Sequence, residues 1–243
     1  MSKIFDAISW SGVERYSVQI IQFIISIILA RILSPEDYGI IAIILAIISI
    51  LSIINETGFG ASLLQKLERD ELDFSSVFYV NLLLGFSLYL ILFFVSPFIE
   101  FFFDIDNLSI YIKIASLNLV INSFVIVPRV KLLINIDFKT QTIISFPSII
   151  ISGLVSIYLA YNNFGVWALI IQLLLLNFLT LCLTWYFVKW RPSFSCSLIR
   201  LKPLFNFAYK LILARLINTI FNQSYSIIIG KLFSPSLLGF YNR

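Results

Sequence analysis

Residues 140–188 read TQTIISFPSIIISGLVSIYLAYNNFGVWALIIQLLLLNFLTLCLTWYFV, a stretch without one charged side chain. A helix crossing the roughly 30 Å hydrocarbon core of a bilayer needs about 20 mostly apolar residues. The run is too long for one crossing, and it breaks at Tyr161-Asn162-Asn163-Phe164-Gly165. Two membrane helices joined by a tight turn follow. They must be helical, because lipid offers no partner for open backbone groups.

Working outward, residues 16–30, 38–55 and 74–99 are also free of charge. Residues 109–128 hold only Lys113, and 216–230 make a last span, so the sequence predicts seven. Composition agrees: 60% of the 243 residues are hydrophobic and 12% charged, against about 45–50% and 25% in soluble domains. A soluble enzyme is excluded. The absence of histidine removes a Ser-His-Asp triad, a His-ligated metal or haem, and a histidine proton relay. Cys182 and Cys196 cannot frame a four-ligand zinc site or a disulfide scaffold, and they read as small apolar residues. No glycine-rich phosphate loop occurs, so nucleotide hydrolysis is unsupported and no cofactor or metal is expected. Energy then comes from an ion gradient, the membrane potential or the substrate. Glu14 and Arg15 interrupt the place where a signal peptide's apolar core would lie, so the first span is expected to stay.

Charge sets the orientation. With a cytoplasmic N-terminus, the inner segments carry ten cations: Lys3; Lys66 and Arg69; Arg129, Lys131 and Lys139; Lys189, Arg191, Arg200 and Lys202. The outer segments carry three, Arg31, Lys113 and Lys231. The net charge of +4 is thus an orientation signal and no argument for nucleic-acid binding. The stem after the sixth span is basic enough to sit against anionic headgroups. Residues 61–73, which mix leucines with charges, read as an amphipathic connector on the inner surface.

Residues 9–43 align without a gap to 209–243, with eight identities. Arg15/Arg215, Ser26/Ser226, Ser34/Ser234, Pro35/Pro235 and Gly39/Gly239 are the informative five. Six spans precede the second copy, so the first and seventh helices run the same way: a parallel repeat, as in transporters built of two halves. The Ser-Pro-x-x-x-Gly element is a helix-turn-helix corner: serine caps, proline fits the first turn, glycine allows close packing. The expected fold is an all-α polytopic membrane protein, a six-helix N-terminal lobe (1–203) plus the first helix and following turn of a second parallel-repeat lobe (204–243). With one lobe taking about 200 residues, the chain is expected to be a fragment of a two-lobe transporter or a truncated one.

Ionisable groups within the membrane are costly and read as functional by default. Arg15, Gln19, Gln22 and Ser26 share one helix face, and Arg215, Thr219, Asn222 and Ser226 repeat it. Across a cleft, Arg15 and Arg215 would grip a phosphate bidentately. A structural role, with Arg15 reaching the interface and the amides gluing helices, stands beside that reading. Glu14 and Glu56 are candidates for a coupling proton or sodium ion. Asn118, Asn122 and Arg129 form another polar face, with Asn122 and Arg129 as substrate candidates. Asn81 and Asn177 read as interhelical hydrogen-bonders.

Four collinear motifs carry a resemblance. Ala30-Arg31-Ile32-Leu33-Ser34-Pro35-Glu36-Asp37-Tyr38-Gly39 is similar to the "ARLLSPEDFG" corner of bacterial polysaccharide exporters, and Glu56-Thr57-Gly58-Phe59-Gly60-Ala61-Ser62-Leu63-Leu64-Gln65 to their "DSGFGSALIQ". Phe164-Gly165-Val166-Trp167-Ala168-Leu169 resembles "GFGVWALV". Ile229-Gly230-Lys231-Leu232-Phe233-Ser234-Pro235 with Gly239-Phe240-Tyr241-Asn242-Arg243 resembles "IGKLLGPAALGYYNRA". The resemblance implies the multidrug, oligosaccharidyl-lipid and polysaccharide exporter superfamily: two six-helix bundles working by alternating access. Its polysaccharide branch, which includes the O-antigen flippases, flips polyprenyl-pyrophosphate-linked oligosaccharides (O-antigen, capsule or exopolysaccharide repeat units) across the bacterial inner membrane. Two departures stand out: Glu56 where aspartate is common, and no helices 8–12.

The expectation is therefore a transporter and not an enzyme, multi-pass in the bacterial cytoplasmic membrane with its N-terminus inside. Its partners are a lipid-linked oligosaccharide, the bilayer and other polysaccharide-assembly membrane proteins, with no nucleic acid. A multidrug or small-molecule exporter of the same fold is the alternative. It suits a cationic substrate, which a cavity ringed by arginine repels. A membrane-embedded glycosyltransferase or polymerase would show charged residues clustered in a long outer loop, whereas the predicted outer loops are short.

Overall fold

The computed structural model describes residues 2–57, 59–66, 68–194 and 197–242, with side chains from Tyr16 onward except those of residues 57, 59, 198–200 and 242. The described residues form α1 (Ser2–Ile32), α2 (Pro35–Thr57), α3 (Phe59–Gln65), α4 (Glu71–Phe103), α5 (Leu108–Ala115), α6 (Leu117–Ile134), α7 (Phe138–Tyr161), α8 (Val166–Phe187), α9 (Leu198–Leu232) and α10 (Pro235–Asn242), and no strand. Six stretches are long and apolar enough to cross a membrane: Pro35–Gln65, Glu71–Phe103, Leu108–Ile134, Phe138–Tyr161, Val166–Phe187 and Leu201–Leu232. The first expected span is the shorter apolar segment Tyr16–Ile32 at the end of α1. The protein is an all-α, multi-pass membrane protein.

Some expected boundaries move, for local reasons. The fourth span is two helices meeting at Ser116, whose hydroxyl donates to the Lys113 carbonyl. It runs on past Pro128 to Ile134, since neighbouring helices in a bundle tolerate a proline that an isolated helix would not. The last span lies within the 35-residue α9, which runs unbroken through residues 203 and 204. The connector between α2 and α4 holds the short α3, whose last turn is closed by Arg69: its Nε donates to Leu63 O at 2.8 Å and its Nη2 to Leu64 O at 2.7 Å.

The connectors gather at two ends, as alternate crossing requires. At one end, Lys66 pairs with Asp73 (2.5 Å) and Lys131 with Glu71 (2.7 Å). Trp190 Nε1 donates to Glu71 (2.7 Å), and Ser193 N donates to Ser75 Oγ (2.9 Å). The non-helical stem between α8 and α9 is thereby fastened to the start of α4, and Phe78 lies edge-on to both Trp185 and Trp190. At the other end the 161–165 turn meets the first Ser-Pro corner. Asn163 and Gly165 both have positive φ (60° and 54°), and a Cβ on Gly165 would lie 2.8 Å from Asp37 Oδ1.

That first corner caps itself reciprocally. The Ser34 amide and hydroxyl both donate to Asp37 Oδ2, and the Asp37 amide donates to Ser34 Oγ. In the second corner the Leu237 amide donates to Ser234 Oγ (3.3 Å). The expected serine caps are present.

The glycines do more than sequence reading assigned them. The two corners pack on each other: a Cβ on Gly39 would stand 1.7 Å from Pro235 O, and one on Gly239 would stand 1.6 Å from Pro35 O. Each missing side chain is the seat of the other copy's proline carbonyl. Ile43, Ile44, Leu108, Ile112, Ile170 and Leu238, all fully buried, form the core behind this contact. Lipid tails are as apolar as these side chains, so close packing, not burial from water, holds such helices together. Gly85 shows the same economy. Its Cβ position lies 1.8 Å from Ser123 Oγ, while Asn55 Nδ2 donates to Leu119 O (3.1 Å) and Ser123 Oγ (2.9 Å).

Candidate functional site

Two cavities with polar side chains in their lining lie along one face of α8. One, about 640 Å³, opens between α1, α6, α7 and α8 and is lined by Gln19, Gln22, Arg129, Gln141, Asn177 and Thr180, among others. The other, about 470 Å³, lies between α2, α8 and α9 and receives Tyr38, Gln172, Gln223 and Ser226. Leu176 lines both, so they adjoin. From Leu169 in the second cavity to Thr184 in the first, the path follows fifteen residues of α8, about 22 Å at roughly 1.5 Å per residue. That is most of the hydrocarbon thickness.

The path's two ends differ. Tyr38, Ile41 and Ser226 place one end beside the packed corners. At the other, Gln19, Gln22 and Arg129 are exposed, so the larger cavity opens outward near the α6–α7 turn. Glu56, at the end of α2, interacts electrostatically with both Arg129 and Arg215.

The predicted site residues divide accordingly. Gln19, Gln22 and Arg129 share the larger cavity, and the charges of Arg129 and Arg215 both act on Glu56. Asn122 is half-buried on α6 and is not part of that cavity's lining. Asn222 is exposed on α9, with Nδ2 turned to Asn218 Oδ1 at 3.4 Å. The side chains of Glu14 and Arg15 lie outside the described residues. Among the described residues, α1 packs on α7 and α9 on α2, and α1 and α9 do not touch each other. Ser226, the fourth member of the repeated stripe, lines the second cavity, whereas its counterpart Ser26 is exposed and donates to Phe23 O.

Two readings of single asparagines are corrected. Asn81 is fully buried, but neither its Oδ1 nor its Nδ2 has a partner among the described residues. Asn177 Nδ2 donates to Leu173 O of its own helix (2.8 Å) and faces the cavity, so it bridges no helices. Sequence reading passed over Gln141, Gln172, Gln223, Thr180 and Thr184. The signal was available on α8, where residues 169, 172, 173, 176, 177, 180 and 184 fall on one helical stripe. Cys182 is a free, exposed thiol on α8, and Cys196 lies outside the described residues.

The fold defines an all-helical, multi-pass membrane protein in which two copies of one corner pack on each other and two cavities adjoin along α8. The chain belongs to the polysaccharide biosynthesis protein family, whose profile matches residues 28–243. It is similar to the succinoglycan biosynthesis transport protein ExoT of Rhizobium meliloti (strain 1021), 25% identical over 97% of this chain and 48% of the relative. It is equally similar to the teichuronic acid biosynthesis protein TuaB of Bacillus subtilis (strain 168), 25% identical over 99% of this chain and 50% of the relative. The lipopolysaccharide biosynthesis protein WzxC of Escherichia coli (strain K12) is 21% identical over 99% of the chain and 49% of the relative. The chain thus spans about half the length of these curated relatives. No solved structure matches it significantly.

Proposed function

We propose that this chain supplies a six-helix lobe (1–203) and the first helix of a second lobe (204–243) to a transporter that flips polyprenyl-pyrophosphate-linked oligosaccharide across the bacterial inner membrane. The N-terminus is cytoplasmic in this reading, and the mechanism is alternating access. The observation that carries it is the pair of adjoining cavities along α8, into which Gln19, Gln22, Arg129, Gln141, Asn177 and Thr180 on one side and Gln172, Gln223 and Ser226 on the other bring hydrogen-bonding side chains. The end lined by Arg129 is taken to face the cation-rich cytoplasmic side.

Arg129 and Arg215 hold the pyrophosphate at the mouth, helped by Arg15 on the repeated stripe. Glu56 is the resident counter-anion that the pyrophosphate displaces, so the empty cavity carries less uncompensated charge. A cationic drug gains nothing at this mouth, where two guanidinium groups face one carboxylate. Transport without bond-making suits the lining, which offers hydrogen bonds, and suits the Rhizobium relative, which is named a transport protein.

The test is export of repeat units by cells carrying Arg129→Ala or Arg215→Ala. A charge-assisted hydrogen bond is worth about 1.5–3 kcal/mol, so pyrophosphate binding should weaken roughly tenfold or more for each. Undiminished export in the double variant, at normal protein levels, would remove both arginines from the mechanism.

A further inference from the structure

We propose that the stem between α8 and α9 is a seat for acidic phospholipid, with the Phe194 ring set into the headgroup layer and Lys189, Arg191 and Lys202 on the lipid phosphates. The seat is separate from the two cavities along α8 and belongs to whichever leaflet this end of the protein meets. Two observations carry it: a ring held away from the protein, and cations without acidic partners on the same segment.

Phe194 is fully exposed, at 103%. On a loose loop such a ring would fold back against the protein, where burial is favourable. Here ties on both sides prevent it. Trp190 Nε1 donates to Glu71 Oε2 (2.7 Å), and the Ser193 amide and hydroxyl both donate to Ser75 Oγ (2.9 Å each). Beyond the ring, the Ser197 amide donates to Ser76 Oγ (3.0 Å). Ser75 and Ser76 are fully buried in the first turns of α4, so the packing of that helix fixes the anchor points.

The same segment is basic. Trp190 is buried against α4, and its neighbours Lys189 and Arg191 are exposed. The Arg191 guanidinium lies 5.3 Å from the Trp185 ring and donates to Trp190 O (2.9 Å), which keeps it beside the stem. At the start of α9, Leu201 and Leu204 are buried while Lys202 and Phe205 face out. Neither these lysines nor Arg191 pair with a carboxylate among the described residues, whereas the nearby Glu71 and Asp73 are taken by Lys131 and Lys66. Exposed rings interleaved with cations suit the headgroup layer, where rings reach the acyl boundary and cations meet phosphate. Each cation near an acidic surface strengthens attachment about fivefold. A zwitterionic lipid supplies no net charge for that gain, so the occupant is acidic.

The experiment uses the full chain, one per nanodisc, in phosphatidylcholine with and without phosphatidylglycerol. A nitroxide on Phe194→Cys, in a background lacking Cys182 and Cys196, reads depth as its accessibility to oxygen against a water-soluble nickel chelate. Oxygen should dominate in the mixed discs, and the triple variant Lys189→Gln, Arg191→Gln, Lys202→Gln should remove that dominance. A label open to nickel in both lipids overturns the seat, and equal depth in both overturns the acidic occupant. Shielding from both reagents means that protein covers residue 194, which also overturns the seat. With Phe194 restored, native mass spectrometry reads the phosphatidylglycerol held in excess of the triple variant. Phe194→Ser should lower that excess about tenfold, and Phe194→Trp should keep it; a ring this exposed adds nothing to packing, so both variants fold. No excess in the wild type, or an excess unchanged by Phe194→Ser, refutes the seat. Neither readout involves export, so failure of the transport reading leaves both untouched.

Discussion

Gly39→Ala is the most direct perturbation of the packed corners. The added Cβ would lie 1.7 Å from Pro235 O and 2.5 Å from Pro235 C. A carbon meets a carbonyl oxygen at about 3.3 Å, so the backbones must part by about 1.6 Å. Neither is a flexible side-chain tip, and no rotamer relieves the clash. Overpacking of this kind costs about 1–3 kcal/mol, equivalent to roughly a 5–150-fold shift between packed and parted corners. Gly239→Ala makes the reciprocal clash at 1.6 Å, and the pair should be less than additive because both act on one contact. The assay places a cysteine at Leu238, fully buried behind the corner, in a background lacking Cys182 and Cys196. The rate of labelling by a membrane-impermeant maleimide is then measured. It should rise at least fivefold with Gly39→Ala and hardly at all with Gly60→Ala, whose Cβ would meet side-chain methyls alone, of Ile126 at 3.1 Å and Val130 at 3.6 Å. Unchanged labelling in the Gly39→Ala, Gly239→Ala double variant, with the protein eluting as a normal particle, would show that the corners are not in contact.

Two further outcomes are expected. Gly85→Ala should lower thermal stability by about 1–3 kcal/mol through its 1.8 Å clash with Ser123 Oγ; Ser123→Gly should restore part of this in a double-mutant cycle, the Leu119 carbonyl at 2.9 Å accounting for the remainder. Ile136, a β-branched residue at φ 54° in the exposed α6–α7 turn, sits where L-residues are disfavoured by about 1–2 kcal/mol, so Ile136→Asn should raise the unfolding temperature, and a lowered one would mean the turn is not left-handed there.

The spans were legible because lipid imposes one simple rule: an apolar stretch of sufficient length must be a helix. Helix ends were less so. Pro128 reads as a stop in sequence, yet α6 continues to Ile134, because its neighbours, which no local window contains, support it. The repeat was legible as eight identities, and with it the capping role of Ser34. That Gly39 and Gly239 meet each other's proline carbonyl was not, since a one-dimensional alignment says which residues are alike and nothing about which ones touch. For the cavity, charge drew the eye to Arg129, Arg215 and Glu56, of which Arg129 lines the larger cavity. The uncharged lining of α8 escaped notice, although Asn177, Thr180 and Thr184 keep helical spacing, because amides and hydroxyls in a membrane helix have a structural use as often as a binding one. Only Nε2 of Gln141, in that cavity's lining and without a partner among the described residues, separates the two uses, and a missing partner is a fact of three dimensions.

The Ser34–Asp37 cap lies within the first corner and the Ser234 cap within the second, while the tightest approach between the corners is that of each proline carbonyl to the other copy's glycine. Such a seam resembles a zip of matched shapes more than a lock with a key. Acidity and ionic strength have little purchase on it, but anything that presses the helices sideways does. The lateral pressure and thickness of the surrounding bilayer are therefore the natural dial on how often this seam opens.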